Sequence, residues 1–169
     1  GGGSDVLPRP LPLTARSAGV RKERMTARDA LASLRPRQWT KNVLVFAALV
    51  FSGHAFNLYD VARTAAAFFL FCLLSGAVYV LNDIVDIDKD RAHPVKRDRP
   101  LPSGRLGVRT AWFLFALFGP GVLAASVFFD PRFAGAALAY FILQAAYSLA
   151  LKNVVILDVF VISFGFVLR

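Results

Sequence analysis

The stretch YVLNDIVDIDKDRAHPVKRDRPLPSG, residues Tyr79–Gly104, decides how this chain folds and where its chemistry lies. It holds five aspartates and six basic side chains, counting His93, between two long apolar segments. Apolar segments of about 20 residues are long enough to cross a hydrocarbon core of about 30 Å as helices. So much charge between two such segments predicts a functional loop at a membrane surface.

Five apolar segments run through the chain, whose 169 residues are 56% hydrophobic. They are Trp39–Tyr59, Val61–Leu81, Thr110–Phe129, Phe133–Leu151 and Val154–Leu168. No polar stripe recurs along them, which argues against a soluble helical bundle with an apolar core. We therefore expect an all-α fold, a polytopic membrane helical bundle, with four spanning helices and the start of a fifth in this chain.

Three regions are expected along the chain. Residues 1–24 begin with GGGS and are rich in Pro and Arg, which is typical of a disordered leader or an added linker. Residues 25–38 predict an interfacial amphipathic helix that Thr26 caps, with Leu31 and Leu34 facing the bilayer and Arg35 reaching the headgroups. Residues 39–169 would form the N-terminal part of a transmembrane domain.

Basic residues are distributed unevenly between the connections. Nine Lys or Arg residues precede the first apolar segment or lie at its start, and seven lie between Lys89 and Arg109. The first and third connections contain only Arg63 and Arg132. This alternation predicts a multi-pass protein of the cell (inner) membrane whose N-terminus and Asp-rich loop are cytoplasmic. The net charge of +9 does not indicate nucleic-acid binding, because the charges flank membrane spans and form no single patch.

The acidic residues of the loop follow a helical spacing. Asn82, Asp86 and Asp90 recur on successive turns of one predicted helix face, with Asp83 beside them. Like charges repel at this spacing, so a divalent cation between them is an economical partner. Mg²⁺ commonly takes one or two carboxylates and completes its shell with phosphate oxygens. The pattern predicts a Mg²⁺ site with Asp83, Asp86 and Asp90 as ligands and catalytic groups; a solvated acidic loop paired with its basic neighbours is the alternative.

Basic side chains follow the carboxylates and extend the same site. Lys96 and Arg99, with Lys41 at the same membrane face, are suited to neutralising a diphosphate as it leaves. His93 is open to two interpretations: it contacts substrate, or it forms hydrogen bonds within the loop. Together these groups predict a site for a phosphorylated substrate at the membrane surface.

The motif N-D-x-x-D-x-x-x-D, at Asn82 to Asp90, followed by R-P-L-x-S-G, at Arg99 to Gly104, resembles the UbiA superfamily of intramembrane prenyltransferases. The stretches LRPRQWTKNVLVFAAL and DRAHPVKRDRP are most similar to its decaprenyl-phosphate phosphoribosyltransferase branch. The resemblance implies an all-helical bundle of about nine spans that binds Mg²⁺ and diphosphate at the aspartates. It also implies that a second Asp-rich motif would lie beyond Arg169. The substrate-binding residues that it implies, or that the charge pattern indicates, are Lys41, Asn82, His93, Lys96, Arg99, Tyr147 and Lys152.

The function expected from this resemblance is Mg²⁺-dependent transfer of a 5-phosphoribosyl group from phosphoribosyl diphosphate to a polyprenyl (decaprenyl) phosphate. Diphosphate would be released, and the product would serve cell-envelope glycolipid synthesis. One alternative is transfer of a polyprenyl group from its diphosphate to an aromatic acceptor in a quinone or haem pathway. Another is a non-enzymatic membrane scaffold. The expected partners are the lipid bilayer and the two substrates, with no nucleic acid; the sequence leaves homo-oligomerisation open.

Overall fold

The computed structural model describes residues 26–149 together with residues 163 and 165. This described part contains helices and no strand, which confirms the predicted all-α class. The elements are α1 (Ala27–Ser33), a 3₁₀ segment (Pro36–Leu44), α2 (Val45–Phe51), α3 (Leu58–Val85), α4 (Ile87–Ala92), a 3₁₀ turn (Lys96–Asp98), α5 (Val108–Phe118), α6 (Pro120–Phe129) and α7 (Pro131–Leu149).

Helix α3 is the centre of the described bundle. It packs against α2, α5 and α7 and also contacts α1 and α6. Its middle is buried on all sides, with Cys72, Leu74 and Ala77 each 0% exposed. Apolar residues on every face of this helix match a segment enclosed by other helices, so α3 places the charged motif at its C-terminal end in a fixed position.

In the described part of the chain, two helices are long and apolar enough to span a membrane, Leu58–Val85 and the joined pair Val108–Phe129. The joined pair is interrupted where α5 meets α6, at Gly119 and Pro120. Proline lacks the backbone N–H that would continue the helical ladder, so a break at this position is expected. Helix α7 begins at Pro131, two residues before the predicted start of the fourth span. The predicted fifth segment lies outside the described residues except at 163 and 165.

The first apolar segment, residues 39–59, is not one continuous helix, and it is interrupted at Ser52–His54. It forms the 3₁₀ segment Pro36–Leu44 and the seven-residue α2, which ends at Phe51. The chain then turns at Gly53, whose φ of 75° lies in the region that glycine adopts at little cost. At about 2.0 Å per 3₁₀ residue and about 1.5 Å per α-helical residue, the two pieces rise about 28 Å, close to the thickness of a hydrocarbon core.

Helix α1 matches the predicted cap but not the predicted orientation. Thr26 is its N-cap, and Thr26 and Asp29 form a reciprocal capping box. Leu31 is 51% exposed, but Leu34 is only 5% exposed and packs against Gly76 of α3. The expectation that Leu34 faces the bilayer was wrong, because the chain turns after Ser33 and directs this side chain into the bundle.

Ion pairs mark the two ends of the bundle. Arg105 Nε lies 3.3 Å from Asp29 Oδ1, so the loop after α4 is joined to α1 at one end. Arg63 pairs with Asp130 at 3.2 Å at the start of α3. The N-terminal helix and the Asp-rich motif therefore share one end of the bundle, as the distribution of basic residues predicted.

Candidate active site

The charged motif forms a buried cluster of ion pairs. Arg99 Nη1 donates hydrogen bonds to Asp83 Oδ1 at 3.0 Å and to Asp90 Oδ2 at 2.8 Å. Arg35 also donates to Asp83, and Lys96 Nζ lies 3.5 Å from Asp90 Oδ1. Asp83 and Asp90 are 3% and 2% exposed. Buried carboxylates require such partners, because an unpaired charge removed from water is costly.

Helical geometry explains why Asp83 and Asp90 meet. An α-helix advances about 100° per residue, so positions seven apart differ by only about 20°. Helix α3 ends at Val85, but the backbone N–H of Asp86 still reaches Asn82 O at 3.0 Å, and that of Asp90 reaches Asp86 O at 2.8 Å. The motif therefore keeps a nearly helical course into α4. The expected grouping of Asp90 with Asn82 and Asp86 differs from the structure, in which Asp90 pairs with Asp83 through Arg99.

The loop that carries Arg99 is held by apolar side chains and a tight turn. Leu101 and Leu106 are 2% and 1% exposed and join the same core cluster as Leu34. The N–H of Leu106 donates to Pro100 O at 2.8 Å, and Gly104 adopts a φ of 82°. The R-P-L-x-S-G stretch is thus a folded unit that fixes the position of the Arg99 side chain.

Arg35 is a site residue that sequence reasoning missed. We expected it to reach lipid headgroups, but it binds Asp83 and lies over the ring of Tyr79, 4.7 Å from the ring centroid. Its φ of 51° is unusual for a residue with a side chain. Pro36 disfavours helical backbone at the preceding residue, so the sequence did indicate that α1 ends there. The sequence did not indicate that Arg35 binds Asp83, which lies 48 positions further along the chain.

Within the described part of the chain, two cavities adjoin this cluster, and Arg35 lines both of them. The motif cavity has a volume of about 320 Å³ and is lined by Arg35, Val78, Tyr79, Asn82, Asp86, Lys96, Gln144, Tyr147 and Ser148. The basic cavity has a volume of about 490 Å³ and is lined by Ala32, Arg35, Pro36, Arg37, Gln38, Asp83, Arg99 and Pro100.

The structure brings several of the predicted binding residues together. Asn82, Asp86, Lys96 and Tyr147 all line the motif cavity, although α3, α7 and the loop after α4 supply them. Lys41 is exposed on the 3₁₀ segment and lines neither cavity. Lys152 lies outside the described residues.

His93 has a structural role in the loop. Its Nδ1 accepts the backbone N–H of Val95 at 3.2 Å and that of Lys96 at 3.3 Å. These bonds shape the turn that precedes Lys96 and require Nδ1 to be unprotonated. They favour the interpretation of His93 as a residue that forms hydrogen bonds within the loop.

The motif cavity fits a hard cation. Within residues 26–149, 163 and 165, no three His, Cys, Asp or Glu side chains form a metal-binding group. Asn82 and Asp86 nevertheless line the same cavity, and their side chains carry an amide oxygen and a carboxylate. Mg²⁺ commonly takes one or two carboxylates and completes its shell with phosphate oxygens and water. The donor set is therefore chemically suited to a divalent cation that arrives with a phosphorylated substrate.

The helical bundle, its apolar spans and its Asp-rich cluster together define an intramembrane helical protein. Residues 42–169 match the UbiA prenyltransferase family, and the chain belongs to this family. The family is integral to membranes, and its prenyltransferases generally depend on a divalent metal ion.

Several curated relatives are similar to this chain. It is 38% identical over 143 residues to decaprenyl-phosphate phosphoribosyltransferase of Mycolicibacterium smegmatis, covering 82% of this chain and 45% of that protein. It is 37% identical over 147 residues to the enzyme of the same name from Corynebacterium glutamicum, covering 82% and 43%. The Mycobacterium tuberculosis enzyme of that name is 34% identical over 141 residues, covering 81% and 47%. The chain thus spans about half the length of these relatives.

Proposed function

We propose that the protein transfers a 5-phosphoribosyl group from phosphoribosyl diphosphate to a polyprenyl (decaprenyl) phosphate and releases diphosphate. The names of relatives that are 34–38% identical to this chain are the observation that carries this proposal. We further propose that Mg²⁺ is the metal and that the product serves cell-envelope glycolipid synthesis. We also propose that the protein lies in the inner membrane with its active site on the cytoplasmic side.

The charge distribution of the site supports this chemistry. In the proposed step the ribosyl C1–O bond to diphosphate breaks, diphosphate departs with the electron pair, and a phosphate oxygen of the lipid forms the new C1–O bond. The nucleophile is already anionic, so no strong general base is required. Lys96 and Arg35 line the motif cavity and are positioned to balance negative charge on the departing diphosphate.

The metal ligands follow from the same cavity. Asp86 and Asn82 line it, and we propose that they bind Mg²⁺ there. Asp83 and Asp90 are the other two aspartates of the Asp-rich motif. The ion would supply charge stabilisation for the diphosphate leaving group. In the described structure Asp83 and Asp90 bind Arg99, which lines the basic cavity and not the motif cavity. Tyr147 of α7 also lines this motif cavity and would contact the substrate.

Prenyl transfer to an aromatic acceptor is the alternative within the same family. A phosphoribosyl donor carries a phosphate besides its diphosphate and so needs more positive charge than a prenyl donor. The three arginines that line the basic cavity favour a reaction whose substrates carry a phosphate besides the diphosphate.

Binding of the donor to the full-length protein tests the proposal. Lys96→Ala removes a cation from the wall of the motif cavity. We expect it to weaken phosphoribosyl diphosphate binding by about 1.5–3 kcal/mol, the scale of a hydrogen bond to a charged group. Lys89→Ala is the matched control, because Lys89 is exposed on α4 and lines neither cavity. Equal titration isotherms for the two variants would contradict the assignment of Lys96 to the donor.

A further inference from the structure

The basic cavity is a second charged space beside the site described above. Arg35 lines both cavities, but the basic cavity includes none of Asn82, Asp86 and Lys96. The larger volume, about 490 Å³, belongs to the basic cavity. A diphosphate bound at the Asp-rich motif would therefore leave this second space and its cations to another group.

The charges of the basic cavity favour an anion. Three guanidinium groups line it, those of Arg35, Arg37 and Arg99, against the single carboxylate of Asp83. Asp83 binds both Arg35 and Arg99. Arg37 is exposed, and among residues 26–149 its guanidinium has no ion-pair partner. The lining thus has an excess of two positive charges, and Arg37 is the cation that a ligand would meet first.

The wall of this cavity is already in a fixed conformation. Arg35 is the one non-glycine residue with positive φ in the described part of the chain, and this conformation turns the chain from α1 into Pro36. The N–H of Gln38 donates to Arg35 O at 2.8 Å and closes the turn. The Arg35 side chain is held by Asp83 and by the ring of Tyr79. A ligand would therefore find Arg37 and Gln38 on a short, well-positioned segment.

The lining matches the chemistry of a phosphate monoester. Guanidinium groups bind phosphate through two parallel N–H donors. A phosphate monoester carries about −1.5 to −2 charges near neutral pH, which corresponds to the positive excess of the lining. Gln38 adds an amide donor, whereas Ala32, Pro36 and Pro100 are apolar and donate no side-chain hydrogen bond. The cavity is thus better suited to one compact anion than to an extended polar chain.

We propose that the basic cavity is a binding site for a phosphate monoester group, with Arg37 and Gln38 as its ligand-contacting residues. This inference rests on the proposed function for the identity of the group. Both substrates of that reaction carry such a phosphate, the donor at ribose O5 and the acceptor at the end of its lipid chain. The chemistry of the cavity is the same for either source.

Equilibrium titration of the full-length protein separates the two sources without requiring transfer. The probes are ribose 5-phosphate, with ribose as its control, and decaprenyl phosphate in detergent, with decaprenol as its control. The variant is Arg37→Gln, and Gln38→Ala is a second variant of the same wall. Arg28→Gln is the matched control, because Arg28 is an exposed cation of α1 that does not line the cavity.

We expect Arg37→Gln to weaken binding of one phosphate probe about tenfold or more, the scale of a lost charged hydrogen bond, with Arg28→Gln unchanged. A change confined to ribose 5-phosphate assigns the cavity to the donor, and one confined to decaprenyl phosphate assigns it to the acceptor. Affinities that match those of Arg28→Gln for both probes would overturn the proposal. Absence of transfer by the wild-type protein would instead refute the proposed function and leave these titrations interpretable.

Discussion

The Arg99 guanidinium lies 2.8 Å from the Asp90 carboxylate. This contact links α4, which contains Asp90, to the loop that follows the end of α4. Through the same nitrogen Arg99 binds Asp83, the last charged residue of α3. One side chain therefore bonds the loop both to α4 and to the central helix.

Arg99→Gln leaves Asp83 and Asp90 buried with less positive charge near them. We expect a loss of about 3–5 kcal/mol in the free energy of unfolding, the range for breaking a buried ion pair from one side. Adding Asp90→Asn should restore part of it, because that substitution removes a buried charge that, among the described residues, retains only Lys96 as a partner. Thermal unfolding in detergent of the wild type, the two single variants and the double variant measures the coupling between these residues. Additive losses would show that the two residues are not coupled.

Asp86 and Asp88 provide a matched pair for the metal site. Asp86 lines the motif cavity, whereas the Asp88 side chain is 90% exposed and pairs with Arg91. We expect Asp86→Asn to reduce turnover by orders of magnitude and to raise the Mg²⁺ concentration needed for half-maximal activity. Asp88→Asn should behave like the wild type. Similar activities and Mg²⁺ dependences for the two variants would contradict the assignment of Asp86.

Gly76 is the contact point for the end of α1. A Cβ at this position would lie 3.0 Å from Leu34 Cδ2 and 3.1 Å from Leu34 O, which is backbone and cannot rotate away. We expect Gly76→Ala to destabilise the protein by about 1–3 kcal/mol, the usual cost of overpacking. Gly135→Ala in α7 is the control, because no atom lies within 4 Å of its added Cβ. Equal unfolding temperatures would mean that α1 does not dock as described.

Asp29 gives the capping box of α1 a pH dependence. Hydrogen bonds from the Thr26 side chain and backbone hold the pKa of Asp29 below its ordinary value of 3.8. A carboxyl group with a lowered folded-state pKa stabilises the fold above its unfolded pKa, and this contribution is lost as the pH falls through the lowered value. Asp29→Asn should therefore be destabilising at pH 7 and have less effect below pH 3.8. Unfolding measurements at both pH values, with Asp88→Asn as control, test this; a penalty independent of pH would contradict it.

The sequence predicted the elements whose signals are local. The Thr26 cap, the long apolar run of α3 and the position of the Asp-rich motif after it are all encoded within a few neighbouring residues. The 3₁₀ geometry of Pro36–Leu44 was not predictable, because it depends on how this segment packs against α3. Asn42 illustrates this, since its amide donates to Ser75 of α3 at 3.1 Å.

The sequence indicated most of the residues of the site but not the ion pairs that they form. The spacing of Asp83 and Asp90 places them on one helix face, but the sequence does not show that Arg99 binds both. The charge alternation indicated that the Asp-rich motif and the N-terminal helix share one end of the bundle. The role of Arg35 depends on a left-handed turn that places it beside Asp83. Contacts between residues distant in sequence determine these features.

Membrane topology can be tested with single cysteines. In a Cys72→Ser background, we expect cysteine at Ser103 to react from the same side as the N-terminus and cysteine at Asp60 from the other side. Ser103 lies in the loop that the Arg105–Asp29 ion pair connects to α1. Asp60 lies in the first turn of α3, at the end of this helix far from the Asp-rich motif. Labelling in sealed vesicles with a membrane-impermeant thiol reagent measures both. Equal reactivity from one side would contradict the arrangement of spans.

Transfer by the full-length protein tests the central claim most directly. Purified protein is incubated with Mg²⁺, labelled phosphoribosyl diphosphate and decaprenyl phosphate, and the lipid and diphosphate products are measured together. We expect equal amounts of 5-phosphoribosylated lipid and diphosphate, with both products lost on chelation of the metal. Transfer from a prenyl diphosphate to an aromatic acid, with no ribosylated lipid formed, would contradict the account.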